Sequence, residues 1–182
     1  GKTNTLVFVH GQISTNVVIQ LVDDQIIEQD ETVVVALRNP LFAGLAPQQV
    51  ATLTIVDNDS RLGFSVEGYT VNENSPNAVI TVVREGGGSG TISIDYTASS
   101  GTALAGQDFV PATNTLTWLS GDRAPKTFQV SILDDAAIEP NETVLLNLFR
   151  SVGAATLGIS SAVLTIVEND FGPGELYLST NQ

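Results

Sequence analysis

Short runs in which Val, Ile, Leu and Thr alternate with polar residues recur along the chain. They lie at Asn77–Arg84, Thr91–Ala98, Thr115–Leu119, Lys126–Leu133, Thr143–Arg150 and Ala162–Val167. A two-residue period turns one side of each run to a core and the other to solvent, which predicts β-strands. Gly, Pro, Asn and Asp fill the gaps, as turns require. No stretch holds the period of about 3.6 residues that an amphipathic helix needs. Strands this short and regular predict an all-β sandwich or barrel.

The pattern also repeats. Residues 23–59 align without a gap on residues 134–170, at an offset of 111 and with 16 identities over 37 positions. Upstream, Asn4, Thr5, Leu6, Phe8 and Gly11 match Asn114, Thr115, Leu116, Trp118 and Gly121 at an offset of 110. The repeat predicts one whole module over 60–170, the C-terminal half of a preceding module over 1–59, and the start of a following module over 171–182. Only Asp57–Arg61 separates the last strand of one unit from the first strand of the next.

Charge narrows the chemistry. The net charge is -13, from 20 acids against 7 bases. Phosphate backbones need basic patches, so nucleic acid is excluded as a partner. With no Cys and one His, a thiolate metal site, a Cys nucleophile and a His-based triad are all disfavoured. His10 has Ser120 as its repeat counterpart. No apolar run is long enough for a membrane helix, so direct membrane insertion is not expected. Disulfide-free composition leans toward a bacterial surface protein or a cytosolic domain, and of the two an extracellular or cell-surface location in a bacterium is the expectation.

The acids gather just outside the predicted strands. In the full module they are Glu73, Asp108, Asp134, Asp135, Glu139, Glu142, Glu168 and Asp170. In the half module they are Asp23, Asp24, Glu28, Glu31, Asp57 and Asp59, which brings the total to 14 of the 20 acids. Hard oxygen donors in converging loops suit calcium, which takes carboxylates and carbonyls in an adaptable shell. The plainer reading of any single acidic pair is a solvated loop. Recurrence of four acidic segments at the module period favours a metal.

These residues carry a resemblance. Gly101–Phe109 (GTALAGQDF), Leu116-Thr117-Trp118, the Asp134-Asp135 to Glu139 and Glu142 segment, and Thr165–Asp170 (TIVEND) together resemble the Calx-beta domain. That family includes regulatory regions of sodium/calcium exchangers, the integrin beta-4 tail and repeat arrays of extracellular proteins. The resemblance implies a seven-stranded immunoglobulin-like β-sandwich in tandem modules, with Ca2+ held by loops at one end. It implies ligand roles for the eight acids of the full module and for the backbone carbonyl of Ala137. Ala136 and Asn169 stand where calcium-rich members often carry Asp, which implies on the order of one or two ions rather than more. The half module lacks counterparts of Glu73 and Asp108, so its site is expected to be weak or empty.

Other features have simpler readings. Gly86–Gly90 is followed by neither a Lys-Ser/Thr pair nor a helix, so it reads as a flexible hairpin loop rather than a phosphate cradle. Trp118 and Phe8 share a repeat position and read as core. Paired carboxylates could serve a glycosidase, but repeated loops argue against a catalytic centre. Three functions stay open. The first is a calcium-binding module that stiffens a tandem array in an adhesive surface, filament or matrix protein. The second is a calcium-sensing regulatory domain. The third is a carbohydrate-binding or hydrolase-accessory module. Expected partners are calcium, neighbouring modules and, through 171–182, other copies head to tail.

Overall fold

A computed structural model describes residues 2–170. Segment 171–182, with its predicted third module and head-to-tail contact, lies outside the described residues. Eleven strands form among the described residues, in chain order. They are β1 (Glu31–Ala36), β2 (Val50–Ile55), β3 (Ser60–Phe64), β4 (Gly68–Asn72), β5 (Asn77–Gly86), β6 (Ile92–Ser100), β7 (Ala112–Trp118), β8 (Lys126–Ser131), β9 (Glu142–Val152), β10 (Ala155–Leu157) and β11 (Ser161–Val167). All six predicted runs are strands.

Strands β3 to β11 form two sheets, ordered β10-β3-β5-β8 and β4-β11-β9-β6-β7. Alternation drives their packing. Along β5, Ala78, Ile80 and Val82 are buried while Val79 faces solvent; along β6, Ile92, Ile94, Tyr96 and Ala98 point inward. The inner faces meet in one core that includes Leu62, Phe64, Phe109, Trp118, Val144, Leu146 and Leu164. Tyr96 stacks on Phe128 across it, with ring centroids 3.8 Å apart.

The chain is thus all-β and an immunoglobulin-like sandwich. Nine strands build it instead of seven. The leading strand breaks after Phe64 and crosses between sheets: β3 pairs with β5, and β4 pairs in parallel with β11. The short β10 adds a parallel pairing to β3.

Strand direction sorts the loops. Asn72 faces Val167, Ile166 faces Glu142, and Asn77 faces Ser131, so the ends of β4, β8 and β11 and the start of β9 share one end of the sandwich. That end carries the acids. The opposite end carries Ser60, Gly86–Gly90 and the turn at 119–124.

Strands β1 and β2 pair only with each other among the described residues. Their register reproduces that of the repeat. Glu31 faces Ile55 and Thr32 faces Thr54, just as Glu142 faces Ile166 and Thr143 faces Thr165.

The glycine run is not a free loop. The Gly87 N–H donates to Asp59 O at 2.7 Å, and Ser60 Oγ donates to Gly87 O at 2.7 Å. A Cβ on Gly87 would lie 2.5 Å from Asp57 O, and one on Gly86 would lie 2.8 Å from the Ile27 side chain. Only residues without a Cβ let the 57–59 segment lie this close. Buried Arg84 fastens the same corner, donating to Ser60 Oγ, Asp122 O and Ser89 O. The flexible-loop expectation failed because glycine signals freedom in sequence but permits close approach once a neighbour is present.

Candidate metal centre

Two clusters form at the acidic end. Glu73, Glu168 and Asp170 bring carboxylate oxygens within 4.8 Å of one another, and so do Asp108, Glu139 and Glu142. A small cavity is lined by Glu73, Asp108, Glu139, Glu142 and Glu168, so the clusters face a shared space.

Each acid is placed by its own element. Glu73 follows β4, and its N–H continues the ladder to Val167 O at 2.9 Å. The residue is 5% exposed, and its Oε2 has no hydrogen-bond partner among the described residues. Glu168 follows β11. Its Oε2 accepts the Glu139 N–H at 2.8 Å, its Oε1 accepts the Asp170 N–H at 2.5 Å, and its own N–H donates to Asn141 Oδ1. Asp170 Oδ2 and Asn169 Oδ1 are buried without partners among the described residues.

Asp108 is buried in the 101–111 loop, and its Oδ2 accepts the Leu104 N–H at 2.6 Å. Gly101 anchors that loop with its N–H on Thr143 O, where a Cβ would meet the same oxygen at 2.5 Å. Glu142 opens β9 directly beside this anchor.

Electrostatics show strain at this end. Burial, with Glu168 as the next cause, pushes the Glu73 carboxyl up to about 7. Burial, with Asp108 next, pushes Glu142 up to about 7. Glu139 and Asp170 are also raised, first by burial and then by Asp108 and Glu168 respectively. Glu168 goes the other way, lowered chiefly by the Asp170 N–H. None of the three ion pairs among the described residues reaches these acids. Carboxylates this close need a proton or a cation between them.

The remaining expected ligands sit farther out. Asp134, Asp135 and Ala137 are exposed. Asp135 Oδ1 accepts the Ala137 N–H at 2.6 Å, and its charge raises Glu73, Glu139 and Asp170. Asp134 acts on Asp170 in the same way. Neither belongs to the two clusters.

The half module rebuilds the same loop scaffold. Asp24 Oδ1 accepts the Ile26 N–H, and Asp57 Oδ2 accepts the Glu28 N–H. Asp57 Oδ1 accepts the Asp59 N–H, and Asp30 Oδ1 accepts the Asp57 N–H. At an offset of 111 these are the four bonds made by Asp135, Glu168 and Asn141 in the full module. Asp59 is 6% exposed and raised, first by burial, then by Asp57, Asp23 and Asp24. Glu31 is exposed. No three-acid cluster forms there among the described residues. Asn141 and Asp30, which orient the closing acid, escaped the sequence reading because both look like ordinary turn residues.

Fold and site together define a β-sandwich with oxygen-rich loops at one end. The Calx-beta domain model matches residues 1–59 and 57–170, and the chain belongs to that family.

Among curated relatives, sodium/calcium exchanger 1 of Canis lupus familiaris is 28% identical over 189 residues, covering 92% of this chain and 19% of the exchanger. Sodium/calcium exchanger 3 of Mus musculus is 29% identical, covering 79% and 18%. The chain therefore spans about a fifth of these relatives' length.

Among solved structures, the apo-form Calx CBD1 domain matches with a TM-score of 0.59 and 31% identity, covering 61% of this chain and 98% of that one. The calcium binding domain CBD12 of CALX1.1 matches at 0.58 and 32%, covering 60% and 45%.

These relatives correct one expectation. They are exchangers of animals, which overturns the placement as a bacterial extracellular protein. Lack of cysteine did not discriminate between these sources.

Proposed function

We propose that this chain is a calcium-sensing regulatory module of a larger protein. The observation that carries the metal is the pair of three-carboxylate clusters, one of them with buried, unpartnered oxygens, and neither with a basic partner among the described residues. An orphaned buried polar atom is costly, and a cation relieves it. The donors are all oxygen, in an irregular shell of carboxylates and amides. That suits Ca2+, which accepts six to eight flexible oxygen ligands, better than Mg2+, which demands near-octahedral order. Glu73, Asp108, Glu139, Glu142, Glu168 and Asp170 would hold it, with Asp134, Asp135 and Ala137 closing the open side. The resemblance to a calcium binding domain in CALX1.1 supports the same reading.

Sensing is favoured over simple stiffening by the position of residues 57–59. They close the acidic end of the first segment and at the same time lie on Gly86 and Gly87 of the second. Among the described residues no three-acid cluster is preformed at Asp23, Asp24, Asp57 and Asp59, so an ion bound there, more weakly than at the other two clusters, would have to draw these acids together and would pull on that seat. The ligand's differential affinity for two arrangements would then set the output. Small-angle scattering of the whole chain, with calcium titrated through the micromolar range typical of sensors, tests this. A change in maximum dimension that follows calcium uptake supports sensing. Uptake with an unchanged profile assigns the ion to stiffening alone.

A further inference from the structure

We propose that the first segment binds a second copy of this chain, the bare inward faces of the two β1–β2 sheets packing against each other about a two-fold axis. This face belongs to a different segment from the three-acid clusters, and its pairing needs no ion. At the repeat offsets of 110 and 111, Phe8, Val17, Leu21 and Leu53 stand where Trp118, Phe128, Ile132 and Leu164 stand in the full module. Those four core residues are at most 6% exposed, whereas their counterparts in the first segment are between 39% and 55% exposed. Val33 faces Leu53 across β1 and β2 as Val144 faces Leu164, so both point to the side that the full module buries. Among the described residues no second sheet covers that side.

Area and charge together select the occupant. Of the 30 exposed large apolar residues among the described ones, 19 precede residue 60. At roughly 40 Å² of apolar surface for each half-exposed side chain, they present on the order of 800 Å². That exceeds the largest patch of a typical monomer, about 300–600 Å², and matches one side of a standard interface, about 800 Å². Two sheets with apolar inner faces pack face to face in any sandwich, so the surface is complementary to itself. Its charges set the direction. Asp23, Asp24, Glu31, Asp57 and Asp59 gather at one end of the sheet, and Arg38 follows the other end of β1. Packed antiparallel, each Arg38 faces the other copy's acids; packed parallel, the two acidic ends would repel. Each full module joins its own first segment at the acidic end, through Gly87 and Asp59, so the antiparallel pair carries the two modules at opposite ends without a clash. The same patch serves both copies, which closes the assembly at a dimer.

The test is sedimentation equilibrium of the full chain in chelator, across a wide range of protein concentration. Wild type is compared with Leu53→Asp, Arg38→Glu and Val34→Asp, and backbone NMR spectra check that each variant is folded. Val34 is the control, because it is exposed on the outward side of the same strand pair. Wild type is expected to show a reversible monomer–dimer equilibrium. Leu53→Asp is expected to raise the dissociation constant about a hundred-fold. Arg38→Glu, a surface change that leaves the sheet intact, is expected to raise it about threefold at low salt. Val34→Asp is expected to leave it within about twofold. A wild type that stays monomeric at every concentration overturns the pairing. So does assembly that grows past the dimer without limit, a dimer that Leu53→Asp does not weaken, or a Val34→Asp variant weakened as much as Leu53→Asp. A dimer lost in Leu53→Asp but indifferent to Arg38→Glu overturns the antiparallel alignment and supports the face.

Discussion

Gly87 donates its backbone N–H to the carbonyl of Asp59 at 2.7 Å, joining the second segment's glycine loop to the first segment's closing acids. The contact is possible because Gly87 has no side chain. In Gly87→Ala the new Cβ would meet Asp57 O at 2.5 Å, and since both partners are backbone, the 57–59 segment must move. The expected cost is about 1–3 kcal/mol. Calcium-dependent change in scattering should shrink, while the ion affinity of the Glu73 and Asp108 clusters should hold. Equal loss of both would separate the junction from the proposed signal.

Arg84 fastens the same corner without a carboxylate. Arg84→Met would leave Asp122 O and Ser89 O without their donor, at about 1–3 kcal/mol for a buried unsatisfied group. Trp118 is fully buried, with its Nε1–H on Ala124 O. Trp118→Ala should cost about 3–5 kcal/mol. Urea denaturation of each variant measures both, and the order Trp118 above Arg84 is the expected one.

Stability of the ion-free protein should fall as pH rises. Folded Glu73 and Glu142 keep their protons up to about 7, whereas the unfolded chain releases them near 4.5. Between those limits the folded state binds more protons, so its advantage shrinks as pH increases and is fully lost above about 7. Glu168 is lowered and titrates below that window. Thermal melts in chelator across this range should show a declining midpoint, and saturating calcium should flatten or reverse the slope. A midpoint that rises with pH in chelator would contradict the assignment.

Removing one buried charge should have opposite effects with and without the ion. Glu73→Gln relieves repulsion against Glu168 and desolvation of the carboxylate, so the chelated protein above pH 7 should gain about 1–3 kcal/mol. The same variant should lose most of the stabilisation that calcium gives wild type. Parallel urea curves in chelator and in calcium read both.

Much of this was legible in sequence because carboxylates interrupt the apolar alternation at fixed positions and return 111 residues later. Glu139, Glu142, Glu168 and Asp170 stand out for that reason, Glu73 and Asp108 only through the family resemblance, and the structure gathers the six into two clusters. Other parts were not legible. Strand β4 is short, has no fully buried residue and pairs in parallel with β11, far along the chain. Asn141 carries no charge, so only the Glu168 N–H that it accepts distinguishes it from a turn residue. The glycine run could be understood only once the 57–59 segment lay against it.

The convergent carboxylates are proposed to bind calcium. Direct measurement of bound calcium by the 182-residue chain near neutral pH, for wild type and for a Glu73→Gln, Asp108→Asn double variant, tests it most directly. Saturable uptake by wild type is expected, accompanied by release of protons from Glu73 and Glu142, with a loss of most uptake in the double variant. No uptake by wild type, or equal uptake by both proteins, would contradict it.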